Sequence, residues 1–105
     1  MPVRLRINLP VDRLDDFCRK WHVAQFALFG SVLRDDFRPD SDIDVLVSFR
    51  PGARPGWLDR VAMAEELRQL FGRPVDLVDR QAVEESPNYI RRRSILESAQ
   101  VIYGT

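Results

Sequence analysis

Apolar residues recur along this chain with two periods, and the switches between them mark out the elements. Leu14, Phe17, Cys18 and Trp21 follow one another at helical spacing, after Pro10 and with Asp12, Asp15 and Asp16 in the first turns, where the helix dipole favours anions. A helix is therefore predicted from about Asp12 to Lys20. Val23 to Phe29 (VAQFALF) is a mostly apolar run of strand length that stops at Gly30, the pattern of a buried strand. Ile43 to Phe49 (IDVLVSF) predicts a second strand, entered through the turn-forming Arg38-Pro39-Asp40-Ser41-Asp42 and closed by the loop RPGARPG. Trp57, Val61, Ala64, Leu67 and Phe71 step at helical intervals, and Gly72 with Pro74 ends that helix. Val75 to Val78 reads as a third short strand. Ser86 and Pro87 suit an N-cap and first helical position, opening a last helix through Arg91, Arg92, Arg93 and Leu96 to about Gln100. Upstream, Val3, Leu5, Ile7 and Leu9 alternate with Arg4, Arg6 and Asn8, as in a short edge strand or an extended arm. The order of elements predicts a small sheet covered by helices.

The 105 residues are the length of one domain, expected to span 1–105, with no room for a separate substrate-binding unit. Sixteen basic residues balance sixteen acidic ones, so no net field draws the molecule onto nucleic acid or an anionic membrane, and direct nucleic-acid binding is not expected. All the basic residues but Lys20 are arginine, the better side chain for bidentate pairing with carboxylate or phosphate. The single Cys18 excludes an internal disulfide, and no Cys/His spacing suggests zinc, which fits a reducing cytoplasmic home. No apolar stretch is long enough to cross a membrane, and Met1 to Pro10 lacks a signal-peptide core.

The chemistry concentrates in GSVLRDDFRPDSDIDVLV, residues 30–47. Gly30 lets backbone N–H groups approach a ligand closely, and Ser31 adds a hydroxyl beside a predicted helix N-terminus, a suitable setting for phosphate oxygens. Asp42 and Asp44, two apart at a strand start, project from one face and repel each other unless a cation lies between them. A hard divalent cation such as Mg²⁺ suits this pair, since it takes one or two carboxylates and completes its shell with phosphate and water. Asp76 interrupts an apolar strand where Val or Ile would be expected, which makes it the candidate third acid. Asp79 is the competing choice, but alternation sends the two to opposite faces. Three such acids could hold two ions and support an in-line displacement at phosphorus, the chemistry of nucleotidyl transfer.

Gly30-Ser31, ten residues, then Asp42-Ile43-Asp44 is similar to the GSx10DxD signature of the DNA polymerase β-like nucleotidyltransferase superfamily. Within it, the small size and FGSVLRDDFRPDSDIDVLVSF resemble the minimal nucleotidyltransferase, or MNT, group, typically encoded beside a HEPN-domain partner. The similarity continues through PVDLVDRQAVEESPNYIRRRSILESAQVIYG, where a third-strand acid precedes a closing helix and a terminal Ile-Tyr. One departure is Asp35, where members often carry glycine after the arginine equivalent to Arg34. The resemblance implies an α+β nucleotidyltransferase fold, a small mixed β-sheet flanked by helices. It implies ATP and Mg²⁺ as co-substrates, Gly30 and Ser31 on the nucleotide phosphates, and Asp42 and Asp44 on metal, with Asp76 completing the triad. It further implies a hetero-oligomer with a HEPN-domain ribonuclease toxin, neutralised as AMP is transferred to a tyrosine hydroxyl. A transferase of this length is expected to borrow its acceptor site from that partner.

Other residues carry plainer readings. Ser31 alone would suit a helix cap, and Arg34 is as well explained by pairing with Asp35 or Asp36 as by a phosphate contact. Arg91, Arg92 and Arg93 read as a solvent face, and His22 and Cys18 as buried at a helix–strand junction. Trp21, Trp57 and Tyr103 are expected in the core or at its rim. Two rival functions stay open: a small-molecule nucleotidyltransferase, and a non-catalytic antitoxin that blocks its partner sterically.

Overall fold

A computed structural model of the chain describes residues 10–33 and 41–104. The edge strand or arm expected at Val3 to Leu9, Arg34 with its acidic neighbours, and the Ser31 side chain lie outside what is described. Helix α1 is Val11–Lys20 and strand β1 is Val23–Phe29, continued by a 3₁₀ turn at Gly30–Leu33. Strand β2, Ile43–Phe49, leads into helix α2, Trp57–Phe71. Then come strand β3 at Val75–Asp79, helix α3 at Arg80–Glu84, helix α4 at Tyr89–Ser98 and strand β4 at Gln100–Tyr103.

The four strands form one sheet in the order β3-β2-β1-β4. β1 runs antiparallel to β2 and to β4, whereas β2 and β3 are parallel, so the sheet is mixed as expected. A parallel pair needs a crossover, and α2 supplies it. Alternation along β1 and β2 then sends apolar side chains to both faces. One face packs Phe26, Leu28, Ile43, Val45 and Val47 against Leu14, Phe17 and Cys18 of α1 and Met63 and Leu67 of α2. Within it Phe17 meets Phe26 edge-on, ring centres 6.1 Å apart. The other face is smaller: Ala27, Phe29 and Leu46 pack with Val83 of α3 and Ile95 of α4. Trp21 Nε1 and Lys20 Nζ each donate to Glu66 Oε2 at 3.1 Å, joining the end of α1 to α2. Among the described residues no helix is long and apolar enough to cross a membrane.

The structure corrects several expectations. α4 begins at Tyr89 rather than Pro87, because Asn88 is the cap: its Oδ1 accepts the Arg91 N–H at 3.1 Å, while Ser86 Oγ accepts the Asn88 N–H at 3.2 Å. The helix stops at Ser98, and Ala99 turns extended (ψ 135°), releasing residues for β4, which the pattern did not predict. The short α3 was also missed; Asp79 caps it by accepting the Gln81 N–H at 2.9 Å. In α2 the fully buried side chains are Met63 and Leu67, whereas Trp57 is 76% and Val61 50% exposed, so the predicted stripe is rotated from the packed one and Trp57 is outside the core. His22 is exposed rather than buried. It takes a left-handed φ of 58°, and its carbonyl accepts the Arg50 N–H at 2.9 Å, so it serves the turn from α1 into β1.

Candidate active site

The second core ends in carboxylates. Along β2, Asp44 shares a face with Leu46, and along β3, Asp76 shares a face with Val78. Leu46 and Val78 pack in the core beneath α3 and α4. One step along each strand, toward its N-terminus, the same rows become acidic. Asp44 and Asp76 are direct neighbours in the parallel register, on strands about 4.8 Å apart. Asp44 is half-buried and Asp76 exposed.

Gly30 completes the corner. β1 and β2 pair through Phe29 and Asp44, which brings the next residue, Gly30, alongside the Asp44 carboxylate. Its φ is +78°, and a Cβ built there would overlap Asp44 Oδ2. Glycine is thus required twice, by backbone conformation and by close approach. The same glycine leads directly into the 3₁₀ turn that carries Ser31.

Across from the acids stands α4. A cleft of about 990 Å³ opens between Phe29, Gly30, Asp44 and Asp76 on the sheet side and Asn88, Arg91, Ser94 and Ser98 on the helix, with Ile95 on the apolar side. Such a volume is at the upper end of the range for small-molecule sites, roughly 300–1,000 Å³. Arg91, Ser94 and Ser98 are spaced i, i+3 and i+7, so they form one wall.

Asp42 is placed differently. It is exposed, precedes β2, and does not line the cleft. Among the described residues no three acidic, histidine or cysteine side chains converge on one point. The structure therefore pairs Asp44 with Asp76 and leaves Asp42 at the threshold of the strand. Asp79 faces away: its Oδ2 accepts from Arg60 Nη2 at 2.9 Å while Oδ1 caps α3, and both bonds occupy it structurally. Cys18 is buried, and burial with Asp15 nearby pushes its thiol up to about 12, which keeps it protonated and unreactive. The α4 wall was not anticipated. Its only signal was the spacing of Arg91, Ser94 and Ser98, obscured by the run of three arginines.

Residues 13–102 match the nucleotidyltransferase domain family. Over 65 residues, 62% of this chain, the sequence is 34% identical to the protein adenylyltransferase MntA of Thermococcus cleftensis; the match spans 64% of that relative's length. A solved structure described as a candidate minimal nucleotidyltransferase is 30% identical, with a TM-score of 0.64 and 85% of each chain covered. A chain from the complex of tri-AMPylated Shewanella oneidensis HEPN toxin with MNT antitoxin shares the fold at 21% identity, with a TM-score of 0.62, covering 90% of this chain and 69% of that one.

Proposed function

Because the chain belongs to the nucleotidyltransferase domain family, we propose that it is an antitoxin acting as a protein adenylyltransferase, transferring AMP from ATP to a hydroxyl, by preference a tyrosine hydroxyl, of a HEPN-domain toxin. The observation that carries the reading is the Asp44–Asp76 pair in register beside Gly30, at the mouth of a cleft large enough for a nucleotide. Its site of action is the cytoplasm, where ATP is available.

The donors suit Mg²⁺: carboxylates on adjacent strands offer hard oxygen ligands and leave the cleft side open to phosphate oxygens. Asp44 and Asp76 would hold the metal, and Asp42, at the threshold of β2, is the candidate third ligand that would turn toward them once a cation is bound. Bound there, Mg²⁺ would supply charge neutralisation at the transferring phosphoryl group and acidify the attacking hydroxyl. Gly30 and Ser31 position the triphosphate by presenting backbone N–H groups and a hydroxyl, and Arg34 is a further candidate contact. The acceptor oxygen attacks the α-phosphorus, forming the new O–P bond as the α–β anhydride bond breaks and pyrophosphate departs. Asp76, the more exposed acid, accepts the hydroxyl proton. A tyrosine hydroxyl, with a pKa of about 10, needs that assistance at neutral pH.

Intact mass spectrometry of the HEPN-domain partner tests the reading, after incubation with this protein and Mg-ATP beside an Asp44→Asn control. Adenylyl mass added to the partner by the wild type alone supports catalysis. A stable complex with no mass gain supports steric neutralisation instead, a reading favoured by Trp57 and Leu58, which stand 76% and 73% exposed on α2.

A further inference from the structure

Among the described residues lining the cleft, Arg91 is the one cationic side chain, on the helix wall across from Asp44 and Asp76. Its neighbours are committed elsewhere. Arg92 Nη1 donates to the Ser86 carbonyl at 3.0 Å and its guanidinium lies 5.5 Å from the Tyr89 ring centre. Arg93 Nε donates to Glu97 Oε1 at 3.0 Å, which holds its charge on the outer face. Arg91 makes no ion pair with any described residue; only its backbone N–H is engaged, by the Asn88 cap. That cap fixes the start of α4, and the buried Ile95, one turn on, anchors the helix to the sheet. The guanidinium is therefore carried by a fixed helix and kept available.

We propose that Arg91 binds the β- and γ-phosphates of the nucleoside triphosphate and stabilises the pyrophosphate as it leaves. The inference rests on the nucleotidyl-transfer reading of the cleft. Asp44 and Asp76, with the metal they would hold, lie on the sheet wall, so the α-phosphate would sit there, and an in-line reaction sends the leaving group away from the attacking oxygen. A triphosphate brings more negative charge into a site that already holds two acids. The opposite wall offers one cation to meet it, with the planar, multi-donor geometry suited to phosphate oxygens. Ser94, one turn along the same face, adds a hydroxyl within the cleft.

The test compares wild type, Arg91→Ala and Arg91→Lys, with Arg93→Ala as the control for a neighbouring charge. Calorimetric titration measures binding of a non-hydrolysable Mg-ATP analogue, Mg-pyrophosphate and AMP. Arg91→Ala is expected to weaken the triphosphate and pyrophosphate by about tenfold or more, the scale of one lost charge-assisted contact, and to leave AMP within about twofold. Arg91→Lys should recover part of the loss, and Arg93→Ala should match wild type. Arg91 is exposed, so circular dichroism should show an unchanged fold. Equal weakening of AMP and ATP, or no weakening at all, overturns the assignment while leaving the adenylyltransferase reading in place. Failure of the wild type to bind any of the three ligands overturns both.

Discussion

Replacing Gly30 by alanine separates two costs that the structure superimposes. The first is conformational: at φ +78° an L-residue loses about 1–2 kcal/mol relative to glycine. The second is steric, because the new methyl overlaps the Asp44 carboxylate, which must swing away or push β1 from β2. Together they should destabilise the fold by about 2–4 kcal/mol, the conformational term plus a comparable overpacking term. A double-mutant cycle divides them. Asp44→Ala keeps only a Cβ, at 3.4 Å from the built methyl, an ordinary contact. In that background Gly30→Ala should cost only its conformational share, leaving a coupling of about 1–2 kcal/mol, readable by urea denaturation of the four proteins. Equal costs of Gly30→Ala in both backgrounds would refute the claim that Gly30 is there to admit the Asp44 carboxylate. Nucleotide binding provides a second readout. Gly30→Ala should weaken it even where the fold remains populated, since the displaced carboxylate no longer stands in register with Asp76.

The other predictions concern the acids and the cores. Asp44→Asn and Asp76→Asn should each remove transfer activity, measured by partner mass, with the melting temperature moved by no more than a few degrees, because neither carboxylate is fully buried. Mg²⁺ alone should raise the melting temperature of the wild type by relieving repulsion between the paired carboxylates, and should not do so in Asp44→Asn; an equal rise in both would place the metal elsewhere. Leu67→Ala should cost about 2–5 kcal/mol in urea unfolding, whereas Trp57→Ala should change stability by less than about 0.5 kcal/mol. The Cys18 thiol titrates at about 12 in the folded protein against 9.0 for an ordinary thiol, so the folded state holds its proton longer. That contribution to stability is complete below pH 9 and lost as pH rises through 12, and native Cys18 should react with a thiol reagent only at the rate of unfolding.

The elements that were legible in the sequence are those whose pattern depends on neighbours in the chain. β1 and β2 keep the predicted bounds because an apolar run between Gly30 and a turn can be little else than a buried strand. α1 keeps its face because Leu14, Phe17 and Cys18 all meet one sheet surface. The α2 stripe misled because periodicity states which residues share a face and not how far along the helix a neighbour reaches. Trp57 and Val61 satisfy the period, yet among the described residues they stay 76% and 50% exposed. β4 was hidden for the opposite reason: its four residues have no period long enough to read, and only pairing with β1 makes them a strand.

The site divides along the same line. The Gly30–Asp44–Asp76 corner could be anticipated because strand alternation converts spacing into direction, and β2 and β3 lie in register. The α4 wall could not, because the distance between a helix and a sheet face is set by tertiary packing, here through Ile95 and Val83. This also explains why the two faces of the sheet differ. The face under α1 and α2 carries the larger core, and the one residue it shares with the cleft lining, among the described residues, is the apolar Leu33, so it can be optimised for packing. The face under α3 and α4 holds a smaller core because its outer positions are Asp44 and Asp76 on the strands and Arg91, Ser94 and Ser98 on the helix, polar groups that are costly to bury. Nucleotide bound in the cleft would contact both walls, so it should protect the α4 amides from hydrogen exchange more than those of α1, and uniform protection would argue against a ligand bridging sheet and helix.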